Sequence, residues 1–156
     1  MNNLYIVIVL ALIAGIVFAI VRWSKSRGRL EIILEKNGSY IKGEIVKGKI
    51  IVDLKKTIHA SGLNLKLMAT GYIFPEGRGD EPEGVYEQIF SISGEGDFSR
   101  REFLFEVQIP QDMNNAPGSL IKIKNNPDEQ VAWFLQAELK IPNSINLSKL
   151  IVLDVQ

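Results

Sequence analysis

Seven segments after Gly28 alternate apolar and polar residues with a period of two. This period places successive side chains on opposite faces of a strand, so each segment is typical of a strand with one buried face. The segments lie at 30–35, 46–54, 63–70, 85–92, 103–109, 131–139 and 150–155, with a weaker eighth at 119–124. Turn-forming residues separate them. The pattern predicts an all-β, immunoglobulin-like antiparallel β-sandwich of seven to eight strands over residues 30–156.

Residues 4–21, which begin with Leu4 and end with Val21, form an uncharged and mostly apolar run. As a helix the run would span roughly 27 Å, close to the thickness of a membrane's hydrocarbon core. Trp23 follows it, where amphipathic aromatic side chains prefer the headgroup zone. We therefore predict an N-terminal transmembrane helix over residues 1–23. A cleaved signal peptide fits less well, because the basic residues follow the run and no Ala-x-Ala pattern comes after it.

Four basic residues and no acid follow this run: Arg22, Lys25, Arg27 and Arg29. Basic residues that flank a span favour the cytoplasmic side. The sequence thus predicts a single-pass membrane protein with its N-terminus outside and its domain in the cytoplasm. A basic linker over residues 24–29 would contact anionic membrane lipids. An envelope protein whose domain faces outward, with a structural or ligand-binding role, is the alternative.

Composition argues against several classes of function. Four of the 18 basic residues and none of the 18 acidic ones precede residue 30, so residues 30–156 carry a net charge of −4. A mildly acidic domain is a poor nucleic-acid binder. The chain has no cysteine, and His59 is its only histidine. This excludes a thiolate nucleophile, a histidine-based triad and a multi-histidine metal site. We predict no enzyme activity and no cofactor; a hydrolase with its site in the loops is the weakest alternative.

Two charged groups have simple structural interpretations. His59 is expected in a solvated loop over residues 55–62. An acidic stretch could gather a calcium ion, but it lacks EF-hand spacing and is better explained as a hairpin loop; its acids are Glu76, Asp80, Glu81 and Glu83.

Residues 40–50 contain Gly43, Glu44, Val46 and Gly48 in a spacing that resembles the Gly-Glu-x-Val-x-Gly-x-Val signature of the arrestin N-terminal domain. Later elements follow in that family's order, and their marker residues are Gly71, Phe105 and Pro110. The resemblance implies an arrestin-like β-sandwich and an adaptor or scaffold role. Lys42 stands where the family usually has proline. Arrestins also have two domains and no membrane span, so a receptor-binding role that uses both domains does not transfer.

The signature glycines have physical explanations of their own. Gly43 is expected to supply a positive φ in the turn before the second strand. Gly48 lies on the apolar face of that strand, where it would mark a bulge or a close approach by the facing sheet.

Three apolar residues occupy outward-facing strand positions: Met68, Leu104 and Phe134. Neighbouring Trp133 alternates inward and is expected in the core. Exposed apolar residues favour a contact surface, so we predict an interaction patch. The resulting functional hypothesis is a membrane-anchored, non-catalytic adaptor. Its protein partners would be membrane proteins or peptide segments, bound through a sheet edge or a sandwich face.

Overall fold

The computed structural model describes residues 27–72, 82–113, 115–120 and 131–156. The predicted span at residues 4–21, with Leu4, Val21, Arg22, Trp23 and Lys25, lies outside them. Within the described ranges no helix is long and apolar enough to cross a membrane. Seven strands form the domain: β1 Gly28–Leu34, β2 Ile45–Ala60, β3 Gly62–Tyr72, β4 Pro82–Ser93, β5 Gly96–Gln108, β6 Val131–Lys140 and β7 Leu147–Leu153.

The strands form two sheets in which every neighbouring pair is antiparallel. One sheet has the order β1-β2-β5, and the other has the order β4-β3-β6-β7. The predicted antiparallel β-sandwich is therefore confirmed. Alternation explains it, since in β6 the residues Trp133, Leu135 and Ala137 are buried and their neighbours are not.

The core lies between the two sheets. Fully buried residues come from both, including Val46 and Ile50 of β2 and Leu65 and Leu67 of β3. Trp133 is buried as expected, and its ring lies 5.6 Å from that of Tyr86. No polar or charged residue among those described is buried. Burial of apolar surface thus supplies the main stabilisation.

Some strand boundaries differ from the prediction. β1 begins at Gly28, so Arg29, assigned to the linker, lies in a strand and forms ion pairs with Glu31 and Asp53. β2 continues to Ala60, so the loop predicted around His59 is wrong. The pairing of β2 with β5 shifts register between Asp53 and Ile58, and this irregularity interrupts the period that would have revealed the extension.

Two other strands begin earlier than the sequence predicts. β5 begins at Gly96 and β7 begins at Leu147, earlier than predicted. Of the predicted eighth strand, Ser119 and Leu120 are described, and Ser119 forms an isolated bridge with Tyr86. The remainder, residues 121–124, lies outside the described residues.

The two signature glycines play different roles. Gly43 has φ 84°, which confirms the positive φ expected in its turn. Gly48 pairs in continuous register with Leu34 and Phe105, so it marks no bulge. A Cβ atom there would collide with the carbonyl oxygen of Ile33 and lie 2.8 Å from the ring of Phe105. The close approach therefore comes from neighbouring strands of its own sheet, not from the facing sheet.

Candidate interaction surfaces

The residues of the arrestin-like signature build the turn before β2. The amide of Gly43 donates to the carbonyl of Ile109, and the amide of Ile109 donates to the carbonyl of Glu44, both at 3.0 Å. The Glu44 carboxylate accepts from Lys36 at 2.7 Å and from the amide of Ile41 at 3.0 Å. These hydrogen bonds lower the pKa of Glu44, and the one from Lys36 has the larger effect. The turn is thus tied to the end of β5.

The other marker residues are also structural in position. Val46, Gly71 and Phe105 are buried. Pro110 follows Ile109 just after β5 and lines a groove between β4 and β5. These side chains therefore support the fold, and the arrestin-like motif does not by itself identify a binding surface.

The three apolar residues predicted to form one patch lie on opposite faces of the molecule. Met68 and Phe134 are register partners on the outer face of the four-stranded sheet. Leu104, 79% exposed, lies on the other sheet beside Lys49. The prediction that the three residues form a single patch is therefore wrong. Alternation indicates that a residue points outward but does not say from which sheet.

Met68 and Phe134 belong to a larger surface that we call the apolar face, formed by Met68, Phe134, Leu150 and Val152. Phe134 pairs with Val152 of β7, so three of the four side chains cross the sheet in one row. Leu150 is 49% exposed and Val152 is 68% exposed. Sequence reasoning missed both, because residues 150–153 are all apolar and their alternation does not show which of them point outward.

The outer edge of β7 has unpaired backbone groups. Asp154, just beyond the strand, accepts at its carbonyl from the amide of Tyr40 at 2.7 Å, and Tyr40 lies outside the four-stranded sheet, so this carbonyl is expected to point away from β6. Because backbone groups alternate sides along a strand, Ser148, Leu150 and Val152 also direct their N–H and C=O groups away from β6. No described strand pairs with β7 on that side, although β1 of the other sheet lies close to β7. We call these three residues the β7 edge.

The edges of β5 and β4 are protected to a greater degree. Outward residues of β5 include Glu102 and Glu106, which form ion pairs with Lys49 and Lys47. Charged side chains discourage pairing at an edge. Part of β4 is covered, since the amide of Glu87 donates to the carbonyl of Gly118 at 2.9 Å. At the β7 edge, exposed apolar side chains therefore lie beside backbone groups that no described strand pairs.

A groove of about 600 Å³ runs between β4 and β5. Its lining is mostly aromatic, amide and proline side chains: Tyr86, Gln88, Phe90, Gln108, Pro110, Gln111, Asp112, Asn115, Ala116 and Pro117. Burial raises the pKa of Tyr86, whose hydroxyl donates to Gln88 at 2.5 Å. The groove could accommodate a peptide side chain, but it presents no nucleophile beside a general base.

The structure describes part of the acidic residues that a metal ion would need. Within the described ranges, no group of three or more His, Asp or Glu side chains is placed to hold a metal ion. Of the acidic stretch interpreted as a hairpin loop, Glu76, Asp80 and Glu81 lie outside those ranges, while Glu83 belongs to β4.

His59 lies between two carboxylates at the far end of β2. Its Nδ1 is 2.9 Å from Asp97 and its Nε2 is 3.1 Å from Glu95. The hydrogen bonds to Asp97 and Glu95 raise the pKa of His59 above its ordinary value of 6.5, and the bond to Asp97 has the larger effect. His59 thus links the end of β2 to Glu95 in the turn and to Asp97 at the start of β5.

We expect the stabilising contribution of His59 to decrease as the pH rises. Because the folded-state pKa is raised, the contribution is complete below about pH 6.5 and is lost as the pH passes through the folded-state pKa. The difference in unfolding free energy between the wild type and His59→Gln should fall across that window. Urea unfolding at a series of pH values measures it, and a difference that grows with pH would contradict the assignment.

The architecture is that of an arrestin-like β-sandwich, in agreement with the sequence resemblance at residues 40–50. Among solved structures, the chain is similar to Spo0M, a sporulation control protein from Bacillus subtilis, with a TM-score of 0.62 and 21% identity. The similarity covers 83% of this chain and 49% of Spo0M, so the chain spans about half the length of that protein. At this identity the similarity shows the fold alone.

A second solved structure, the E. coli curli protein CsgC, has a TM-score of 0.28 and 10% identity over 79% of this chain and 96% of its own. That score is too low to bear on the fold. The chain matches no protein-family model and no curated protein.

Proposed function

We propose that this protein is a membrane-tethered, non-catalytic adaptor whose domain binds an extended segment of a protein partner along the β7 edge. The observation that carries the proposal is the exposure of Leu150 and Val152 on β7, an edge strand that no described strand pairs on its outer side.

Strand addition explains how such an edge recognises a partner. An incoming strand would form main-chain hydrogen bonds with the β7 edge, and its alternate side chains would extend the apolar face. Those side chains would cover Leu150, Val152 and, across the sheet, Phe134. Full burial of an aliphatic side chain contributes about 1.5–3 kcal/mol, and these residues are already partly covered, so each adds less than that. The preferred partner segment alternates apolar residues and lacks proline.

The tether is supported by residues 4–21 and by the basic residues after them. A tether confines the domain to a thin layer at the cytoplasmic membrane surface, which raises its effective concentration for membrane proteins. A modest edge interaction is then sufficient for function.

Substitution of Val152 by lysine should abolish partner binding at the β7 edge. A charge on an edge strand opposes pairing, and burial of an unpaired ammonium group is costly. In the full chain expressed in its own membranes, a photo-crosslinking residue at position 150 should capture a discrete partner. Val152→Lys should reduce this yield at least about tenfold, equivalent to about 1.4 kcal/mol.

Leu104→Lys is the matched control, since it places the same charge on an exposed residue of the opposite sheet. Its yield should stay at the wild-type level; equal loss in both variants would refute the β7 edge. A product with twice the mass of the chain would identify a second copy rather than a different protein. Because the chain lacks cysteine, labelling of Gln111→Cys on intact cells tests orientation, and efficient labelling there would favour the outward-facing alternative.

A further inference from the structure

We infer that one end of the sandwich, formed by Lys55, Lys56, Arg100 and Arg101, docks on the anionic lipid headgroups of the membrane that holds the chain. This basic end is distinct from the β7 edge, and the inference rests on the membrane tether of the proposed function.

Strand register places the basic end where the N-terminal segment enters the domain. Gly28, the first residue of β1, is the partner of Leu54. β2 runs antiparallel to β1 and continues to Ala60, beyond the start of β1. Lys55 and Lys56 therefore lie on the side from which the preceding chain arrives. Arg27 also belongs to this end, since its guanidinium donates to Ser144 in the connection between β6 and β7.

A register irregularity brings the basic residues together. Asp53 pairs with Arg100 and Ile58 pairs with Phe98, so four residues of β2 face Ser99 alone. The extra residues include Lys55 and Lys56, both exposed. Arg100 and Arg101 follow Ser99 on β5 and are exposed as well. A bulge of this kind displaces side chains from the regular surface of the sheet.

The neighbouring carboxylates are already engaged with other cations. Arg29 forms ion pairs with Glu31 and Asp53. His59 lies between Glu95 and Asp97. Lys55, Lys56, Arg100 and Arg101 form no ion pair with any described carboxylate, and the guanidinium of Arg101 lies 5.3 Å from the centre of the Phe103 ring. These four cations have no described carboxylate partner, and together with Arg29, a protonated His59 and the four neighbouring carboxylates they leave a net charge of +2.

The length of the connection favours lipid as that partner. Between Trp23, expected at the headgroup level, and Gly28 the chain can extend at most about 18 Å. Electrostatic attraction acts over a Debye length of about 8–10 Å at physiological salt, and basic residues near an anionic membrane each add to it. The connection therefore keeps the start of the domain within about two Debye lengths of the membrane surface.

The test uses the full chain reconstituted in phosphatidylcholine vesicles with and without about 30% phosphatidylserine. A donor dye on Ser99→Cys or Gln111→Cys reports energy transfer to acceptor-labelled lipid. Ser99 lies at the basic end, and Gln111 lies beyond the opposite end of β5. With phosphatidylserine at low salt, energy transfer should place the Ser99 probe closer to the lipid than the Gln111 probe. About 0.5 M salt should remove this difference between the two probes.

Lys55→Gln/Lys56→Gln should lower the ratio of docked to undocked domains roughly 5- to 30-fold. Lys47→Gln/Lys49→Gln removes the same charge from the same strand and should change the ratio less than twofold. Circular dichroism confirms that both variants fold. Equal effects of the two double variants, or docking that persists on phosphatidylcholine alone, would overturn the inference.

A separate result would show that the membrane tether itself is wrong. A chain that alkaline carbonate releases from the vesicles would refute the membrane anchor and, with it, this inference. A chain that resists extraction while both probes give equal transfer would refute the basic end alone and leave the anchor in place.

Discussion

Replacement of Trp133 by alanine should lower the free energy of unfolding by about 3–5 kcal/mol, the range for removal of a large aromatic side chain from a core. Trp133 is 2% exposed, and its ring packs 5.6 Å from that of Tyr86, the residue across β3. The facing sheet cannot collapse fully into the space that the indole leaves. Since single domains are stable by only about 5–15 kcal/mol, this loss is a large fraction of the total stability.

Urea unfolding of the full chain in detergent, followed by far-ultraviolet circular dichroism, measures this loss. Trp133→Phe keeps an aromatic ring and should lose less than the alanine variant. Phe134→Ala provides the positional control, because Phe134 is the next residue in β6 but lies on the half-buried outer face. It should cost about 1 kcal/mol or less. Similar losses for Trp133→Ala and Phe134→Ala would mean that the two faces of β6 are wrongly assigned.

The sandwich could be predicted because most strands keep one face buried over their whole length. β3 and β6 show this clearly, since every second residue from Leu63 to Ala69 and from Trp133 to Leu139 is buried. The predicted strand boundaries are wrong where this condition does not hold. At the end of β2 the register irregularity inserts Lys55 and Lys56, and at the start of β5 the run from Ser99 to Glu102 is exposed on both faces.

The interaction surfaces were harder to predict for a different reason. Met68, Leu104 and Phe134 were all identified as outward-facing, which depends only on local alternation. Their grouping depends on which strands share a sheet, and β5 pairs with β2 while β3 pairs with β6. The β7 edge required the same non-local information, because an edge exists only once the strand order is known. Likewise, the basic end joins residues of β2 and β5 that are far apart in sequence.

The basic end and the β7 edge are compatible in one arrangement. β7 begins at Leu147, which pairs with Leu139 near the end where Arg27 enters the domain. With the basic end on the lipid surface, β7 would rise from the membrane, and its outer edge would face sideways. An extended segment that emerges from a neighbouring membrane protein would run alongside it, so docking would orient the recognition edge as well as retain the domain.

Replacement of Gly48 by alanine should destabilise the domain by roughly 2–3 kcal/mol, although alanine usually suits a strand better than glycine does. The new Cβ atom would collide with the carbonyl oxygen of Ile33, a backbone atom held in the β1–β2 ladder. It would also lie 2.8 Å from the ring of Phe105, which is buried. To avoid these two contacts, β1 would have to shift or Phe105 would have to leave its position in the core.

Gly71→Ala is the control that separates this steric cost from the general effect of replacing a strand glycine. Gly71 is also a buried strand glycine of the arrestin-like pattern, but a Cβ atom there would meet Val85 at 3.5 Å and Val131 at 3.6 Å, which are ordinary contacts. Its unfolding free energy should therefore change by less than about 1 kcal/mol, since the entropy lost by the unfolded chain offsets small packing adjustments. Urea unfolding followed by the fluorescence of buried Trp133 compares the two variants. If Gly48→Ala were as stable as Gly71→Ala, the signature glycine would not be required by the approach of Ile33 and Phe105.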